Sequence, residues 1–149
     1  DELGLLPALE GYLRAVSERS GVPIEMRLPA RLPMASPERD IAIFRIVQEA
    51  ITNALRHANA SRLQVALAAQ PDGVRIEVRD DGCGFDPEAV AAEGGGFGLF
   101  GMRERVRDLG GEWRLRSAPG QGAVIEAFVP ARAFLTQVVE GDADARDPG

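Results

Sequence analysis

One stretch constrains this chain more than any other: residues 36–60, SPERDIAIFRIVQEAITNALRHANA. Ser36 can accept a bond from an orphan backbone N–H as an N-cap, and Pro37 suits the first helical position, so a long helix is expected to begin there. Apolar residues recur at Phe44, Val47, Ile51, Ala54 and Ala58, with Ile43, Ala50 and Leu55 widening the stripe, which is the period of a core-facing helix. The other flank is chemical. Glu49, Asn53 and either Arg56 or His57 recur one turn apart, so a carboxylate, a carboxamide and a base-bearing side chain share one edge. Such an edge can hold a metal ion and a phosphate chain.

The remaining elements follow from periodicity and turn chemistry. Leu6, Leu9, Leu13 and Val16 lie at helical spacing and Gly21 with Pro23 ends the pattern, giving a helix over about residues 4–20. Residues 24–28 alternate apolar and charged, as a half-buried strand does. Asn59 and Ala60 make a turn; residues 62–69 and 74–79 then alternate on either side of Gln70-Pro71-Asp72-Gly73, which reads as a β-hairpin. Residues 86–97 lack clean periodicity, contain three consecutive glycines and read as a mobile loop. A short helix with Leu99, Met102, Val106 and Leu109 is closed by Gly110-Gly111, and residues 112–117 and 123–130 form two last strands. The expected fold is α+β, a two-layer sandwich whose mixed sheet is covered on one face by helices, filling residues 1–130. The acidic tail 131–149 is expected to be largely disordered.

Composition narrows the function. A net charge of −6 argues against a nucleic-acid surface, and no apolar run approaches a membrane span. The lone Cys83 excludes an internal disulfide and a multi-cysteine zinc site, and the lone His57 excludes a His-based zinc cluster. The domain reads as cytoplasmic, which leaves room for a membrane-anchored parent.

Three further stretches bear on chemistry. Gly96-Phe97-Gly98-Leu99-Phe100-Gly101 fits GxGxxG but follows a loop, not a strand, so a dinucleotide-binding βαβ unit fails on context. Glycines opening a helix still let backbone N–H groups approach a phosphate; the plain alternative is a hinge. Asp80 ends a strand and can accept a hydrogen bond from the exocyclic amine of adenine; the plain alternative is an Asp-Gly turn. Asn53 and Glu49 are hard ligands suited to Mg²⁺, although Glu49 could equally pair with Arg45 one turn away. Cys83, with no basic neighbour, reads as a small tolerated residue, and Trp113 as a sheet residue on the core side.

Taken in order, Gln48–Ala58 (QEAITNALRHA), Asp80–Phe85 (DDGCGF) and Gly96–Arg105 (GFGLFGMRER) resemble the N, G1 and G2 boxes of the GHKL ATPase superfamily. Within it, they are similar to the catalytic ATP-binding domain of bacterial sensor histidine kinases that signal to helix-turn-helix response regulators. The resemblance implies that Asp80 recognises adenine, that Gly82 and Gly84 shape its pocket, and that Asn53 holds Mg²⁺ beside the triphosphate. It makes Glu49 a metal-binding or water-ordering residue. Gly96, Gly98, Leu99 and Gly101 would flank a lid and its phosphate-binding helix, with Arg56 and His57 near the phosphates. Gly120-Gln121-Gly122 resembles the closing G3 turn, with Ala123 where a threonine is common. ATP and Mg²⁺ are the implied cofactors. The implied partners are a histidine-bearing dimerisation hairpin and, indirectly, a response regulator; nucleic acid and direct membrane contact are not implied. A stand-alone serine kinase or ATPase, and a nucleotide-binding module without catalysis, are the alternative readings.

Overall fold

The computed structural model describes residues 4–32, 36–84 and 98–131. The element order is α1 (Leu5–Ser20), β1 (Ile24–Arg27), α2 (Pro37–His57), β2 (Leu63–Gln70), β3 (Gly73–Asp80), α3 (Leu99–Asp108), β4 (Glu112–Ser117) and β5 (Ala123–Pro130). The five strands form one sheet in the order β1-β2-β3-β5-β4. β1 joins β2 in parallel, Ile24 opposite Leu63, while the other pairings are antiparallel, so the sheet is mixed as expected.

Local chemistry explains the elements. Ser36 is extended at φ −152° and its side chain accepts from the Arg39 N–H at 3.3 Å, with Pro37 in the first turn. A cap of this kind contributes about 1 kcal/mol. Glu38 and Asp40 lie in the first turn of α2 and Arg56 and His57 in the last, each complementing the helix dipole. β2 and β3 are joined by the Pro71-Asp72 turn, and their register runs from Gln70 opposite Gly73 to Leu63 opposite Asp80.

The helices and the inner face of the sheet share one apolar core. Leu9, Leu13, Ile43, Ile46, Val47, Ile51, Leu63, Val65, Ile76, Val106 and Val129 are fully or almost fully buried in it. The buried stripe of α2 is rotated from the expected one: Ile43, Ile46, Val47 and Ala50 lie at its centre, whereas Phe44 and Leu55 are half-buried. Phe44 instead packs on Tyr12 of α1, ring centroids 5.4 Å apart, so α1 takes the flank of the stripe while the sheet takes its middle. Arg39 is buried to 1% exposure and its guanidinium bonds the Asp40 carboxylate at 3.0 and 3.1 Å. Trp113 is half-buried and packs against the core. The other face of the sheet carries Arg75, Arg79, Arg114 and Arg116, all exposed. The tail beyond Ala131 and the glycine-run loop lie outside the described residues.

Candidate functional site

α2 is the floor of the site, and two structures rise from it. The first is the start of α3. Gly98, its N-cap, sits in the left-handed region at φ 81° and offers no side-chain cap. That φ favours glycine, and a Cβ there would lie 2.5 Å from Glu49 Cδ and 2.9 Å from its Cγ, so the first turn of α3 lies directly on the Glu49 side chain. The carboxylate is thereby placed at a helix N-terminus, where the aligned peptide dipoles favour negative charge. This placement replaces the plain surface pairing with Arg45 that the sequence also allowed.

The second is the loop 80–84, laid against the C-terminal end of α2. Cys83 N–H donates to the Ala58 carbonyl at 2.7 Å and its thiol reaches the His57 carbonyl at 3.7 Å. Gly82 is forced by contact rather than by dihedral angle, because a Cβ there would lie 2.6 Å from Ala58 Cβ and 2.9 Å from its carbonyl carbon. Gly84, at φ 68°, faces Ala118 in the same way, and Gly122, at φ 74°, lies against the Asp80 backbone. The loop is therefore wedged between the end of α2 and the 118–122 turn.

Asp80 ends β3 at the edge of this wedge, and its Oδ1 accepts from Gly82 N–H at 2.8 Å. Burial pushes its carboxyl above the ordinary aspartate range, against the pull of backbone hydrogen bonds from Gly82 and Ala123. Asp81 is the opposite case. Its carboxylate accepts from Ser61 N–H at 2.8 Å, Ser61 Oγ at 2.6 Å and Arg62 N–H at 2.9 Å. The Ser61 bonds hold its carboxyl below the usual value.

Asn53 lies between the two structures, one helical turn beyond Glu49 and one before His57. Its Nδ2 is buried and has no hydrogen-bond partner among the described residues. An orphaned buried amide costs about 1–3 kcal/mol, and a half-turn about its terminal torsion would present the carbonyl oxygen at the same place. Either atom suits a polar ligand lying on α2. The donor set fits Mg²⁺ and phosphate: a carboxylate, a carboxamide oxygen and a glycine-opened helix start.

Other expected site residues are less constrained. Arg56 and His57 are exposed in the last turn of α2. A Cβ at Gly101 would meet nothing within 4 Å among the described residues, and Gly101 borders a groove with Glu38, Ile41 and Ala42. Leu99 opens α3, and Gly96 lies outside the described residues. Asp81 and Ser61 were not singled out by the sequence, where Asp81 reads as half of an aspartate pair; the signal was a hydroxyl residue just after the helix-ending Asn59-Ala60 turn.

Residues 38–133 match the profile of the histidine kinase-, DNA gyrase B-, and HSP90-like ATPases. The chain is similar to the signal transduction histidine-protein kinase/phosphatase DegS of Brevibacillus brevis, 35% identical over 87% of this chain and 33% of that protein. It is likewise similar to the nitrate/nitrite sensor protein NarX of Escherichia coli, 34% identical over 95% of this chain and 23% of that protein. It thus spans between about a quarter and a third of the length of these relatives. The fold superposes on the histidine kinase domain of the Erythrobacter litoralis EL346 blue-light activated histidine kinase with a TM-score of 0.72 at 23% identity, covering 86% of this chain and 61% of that one. By sequence match and by architecture alike, the chain belongs to the histidine kinase-, DNA gyrase B-, and HSP90-like ATPase family.

Proposed function

We propose that this chain is the ATP-binding catalytic domain of a two-component sensor histidine kinase, comprising residues 1–130, and that it donates the γ-phosphoryl group to a histidine on a dimerisation hairpin. The observation that carries the reading is the Asn53 amide, without a partner among the described residues and set on α2 between the Glu49–Gly98 contact and the Asp80 loop. Mg²⁺-ATP, when bound, supplies the phosphoryl group and neutralises the charge that builds up in transfer.

The chain's own residues do the rest. Asp80 accepts the adenine amine, held in place by Gly82 N–H. Gly82 and Gly84 keep the loop close to Ala58 and Ala118, so the base pocket is shaped by backbone. Asn53 and Glu49 are the groups that would hold Mg²⁺, and the α3 N-terminus, opened by Gly98, offers amides to the phosphates. Arg56 and His57 add positive charge and a hydrogen-bond donor at the end of α2, and by the family resemblance Gly96, Leu99 and Gly101 would flank the lid. Catalysis of this kind rests on positioning and electrostatics, with the acceptor nitrogen attacking in line. Among the described residues no helix is long and apolar enough to cross a membrane.

Titration calorimetry with Mg²⁺-ADP tests the pocket. Asp80→Asn places an amide against the adenine amine and should weaken binding at least tenfold, the cost of losing a hydrogen bond to a charged group; unchanged affinity would end the adenine assignment. Supplying a matching hairpin in trans should then yield acid-labile phosphohistidine. Phosphoserine, or no transfer with intact ADP binding, would favour the alternatives.

A further inference from the structure

Neighbouring residues at a strand end point to opposite sides, so Asp80 and Asp81 cannot do the same work. Asp80 faces the proposed base pocket. Asp81 turns away from it and is engaged by three donors on a segment 19 and 20 residues earlier in the chain, Ser61 N–H, Ser61 Oγ and Arg62 N–H, while its own N–H lies 3.4 Å from the Arg62 carbonyl. Ser61 and Arg62 immediately precede β2, whose Leu63 is the register partner of Asp80. The clamp therefore ties the end of β3 to the start of β2 just where the sheet ladder stops.

What the clamp controls is a peptide plane. The N–H that Asp80 Oδ1 accepts belongs to the peptide joining Asp81 to Gly82. Its direction is set at the Asp81 Cα, and that atom is held by the side chain that Ser61 and Arg62 grip. From the far side, Cys83 N–H on the Ala58 carbonyl holds the same loop. Two anchors on either side of one peptide leave it little freedom. With the Asp81 anchor removed, the Gly82 amide can swing and the Asp80 carboxylate loses its fixed aim.

We propose that Asp81, through Ser61 and Arg62, is the positioning residue that aims Asp80 at the exocyclic amine of adenine, and so sets base specificity. This rests on the adenine role of Asp80 argued above. It makes Asp81 more than a fold contact, because its loss falls on one chemical group of the ligand.

The test compares ADP with purine riboside 5′-diphosphate, the same ligand without the 6-amino group, by titration calorimetry on the whole chain. The wild type should prefer ADP at least tenfold, the worth of a hydrogen bond to a charged acceptor. Asp81→Ala should weaken ADP about 5- to 10-fold and the analogue without the 6-amino group less than about twofold, shrinking the preference. Ser61→Ala should weaken ADP about 2- to 3-fold and leave the analogue without the 6-amino group nearly unchanged, and Ser61→Thr, which keeps the hydroxyl, should restore the preference. Should Asp81→Ala fail to fold, the Ser61 pair decides. An equal loss for both ligands, or no loss for ADP, overturns the positioning role and leaves Asp81 a structural clamp. A wild type indifferent to the 6-amino group overturns the adenine role of Asp80 itself, and the positioning role with it.

Discussion

Gly82→Ala is the most direct challenge to the way the loop is held. The added methyl would sit 2.6 Å from Ala58 Cβ and 2.9 Å from the Ala58 carbonyl carbon, with the carbonyl oxygen also in its path. Carbon atoms pack at about 3.5–4.0 Å, so relief needs a shift of roughly 1 Å between the loop and the end of α2. That shift stretches the 2.7 Å bond from Cys83 N–H to Ala58 and moves the Gly82 N–H that bonds Asp80 at 2.8 Å. Overpacking of this kind costs about 1–3 kcal/mol and a lost hydrogen bond about 1 kcal/mol, so a loss of about 2–4 kcal/mol is expected. At about 2–4 °C per kcal/mol for a domain of this size, the melting temperature should fall by roughly 5–15 °C. ADP affinity should fall at the same time, because Asp80 loses its support. Urea unfolding, with and without Mg²⁺-ADP, reads both effects. Ala58→Gly in the same chain removes the methyl-to-methyl contact but not the carbonyl one, so it should recover part of the loss. Gly101→Ala is the control: its Cβ meets nothing within 4 Å among the described residues, and replacing a helical glycine should raise stability by about 0.5–1 kcal/mol. A Gly82→Ala chain with unaltered midpoint and ADP affinity would refute the tether.

Two further outcomes are expected. Burial raises the Asp80 pKa, so the folded chain keeps that proton to higher pH than the unfolded chain, and its contribution is full below the unfolded carboxylate range and lost as pH rises through the folded value. Without nucleotide, Asp80→Asn should therefore melt above the wild type at about pH 7, with the gap closing towards about pH 4; a gap that does not change over this range in thermal melts would refute the burial argument. Asn53→Ala removes a buried amide whose Nδ2 has no partner among the described residues, so stability without ligand should not fall and should rise by up to about 1–3 kcal/mol, while the Mg²⁺ dependence of ADP affinity disappears. Calorimetry at two Mg²⁺ concentrations decides it, and a retained dependence would remove Asn53 from the metal site.

Much of the architecture is written locally and so could be read in advance. The Ser36-Pro37 helix start, the turn between β2 and β3, and the glycines closing α3 depend on residues within a few positions of one another. The rotated stripe of α2 could not be read this way, because Phe44 and Ile46 are equally apolar and only the arrival of Tyr12 beside Phe44 distinguishes them. Arg39 would be assigned to solvent from its charge, yet it is buried against the carboxylate of the next residue. The site shows the same division. Glu49 and Asn53 are legible as one helix edge, whereas the demand for glycine at 82 comes from Ala58, 24 residues away in sequence and in contact only once the sheet and α2 have packed. Asp81 stayed hidden for a similar reason: its function lies in a clamp across two strand ends.

The two outermost strands bear on how the molecule meets copies of itself. β1 is only four residues long and places Glu25 and Arg27 at the border of the sheet, and β4 carries Glu112, Arg114 and Arg116 on the opposite border. Short, charge-bearing borders resist the addition of a further strand. Among the described residues, strand-by-strand growth from either side of the sheet is thereby disfavoured, so two copies brought close together are not led to join sheet to sheet through these borders.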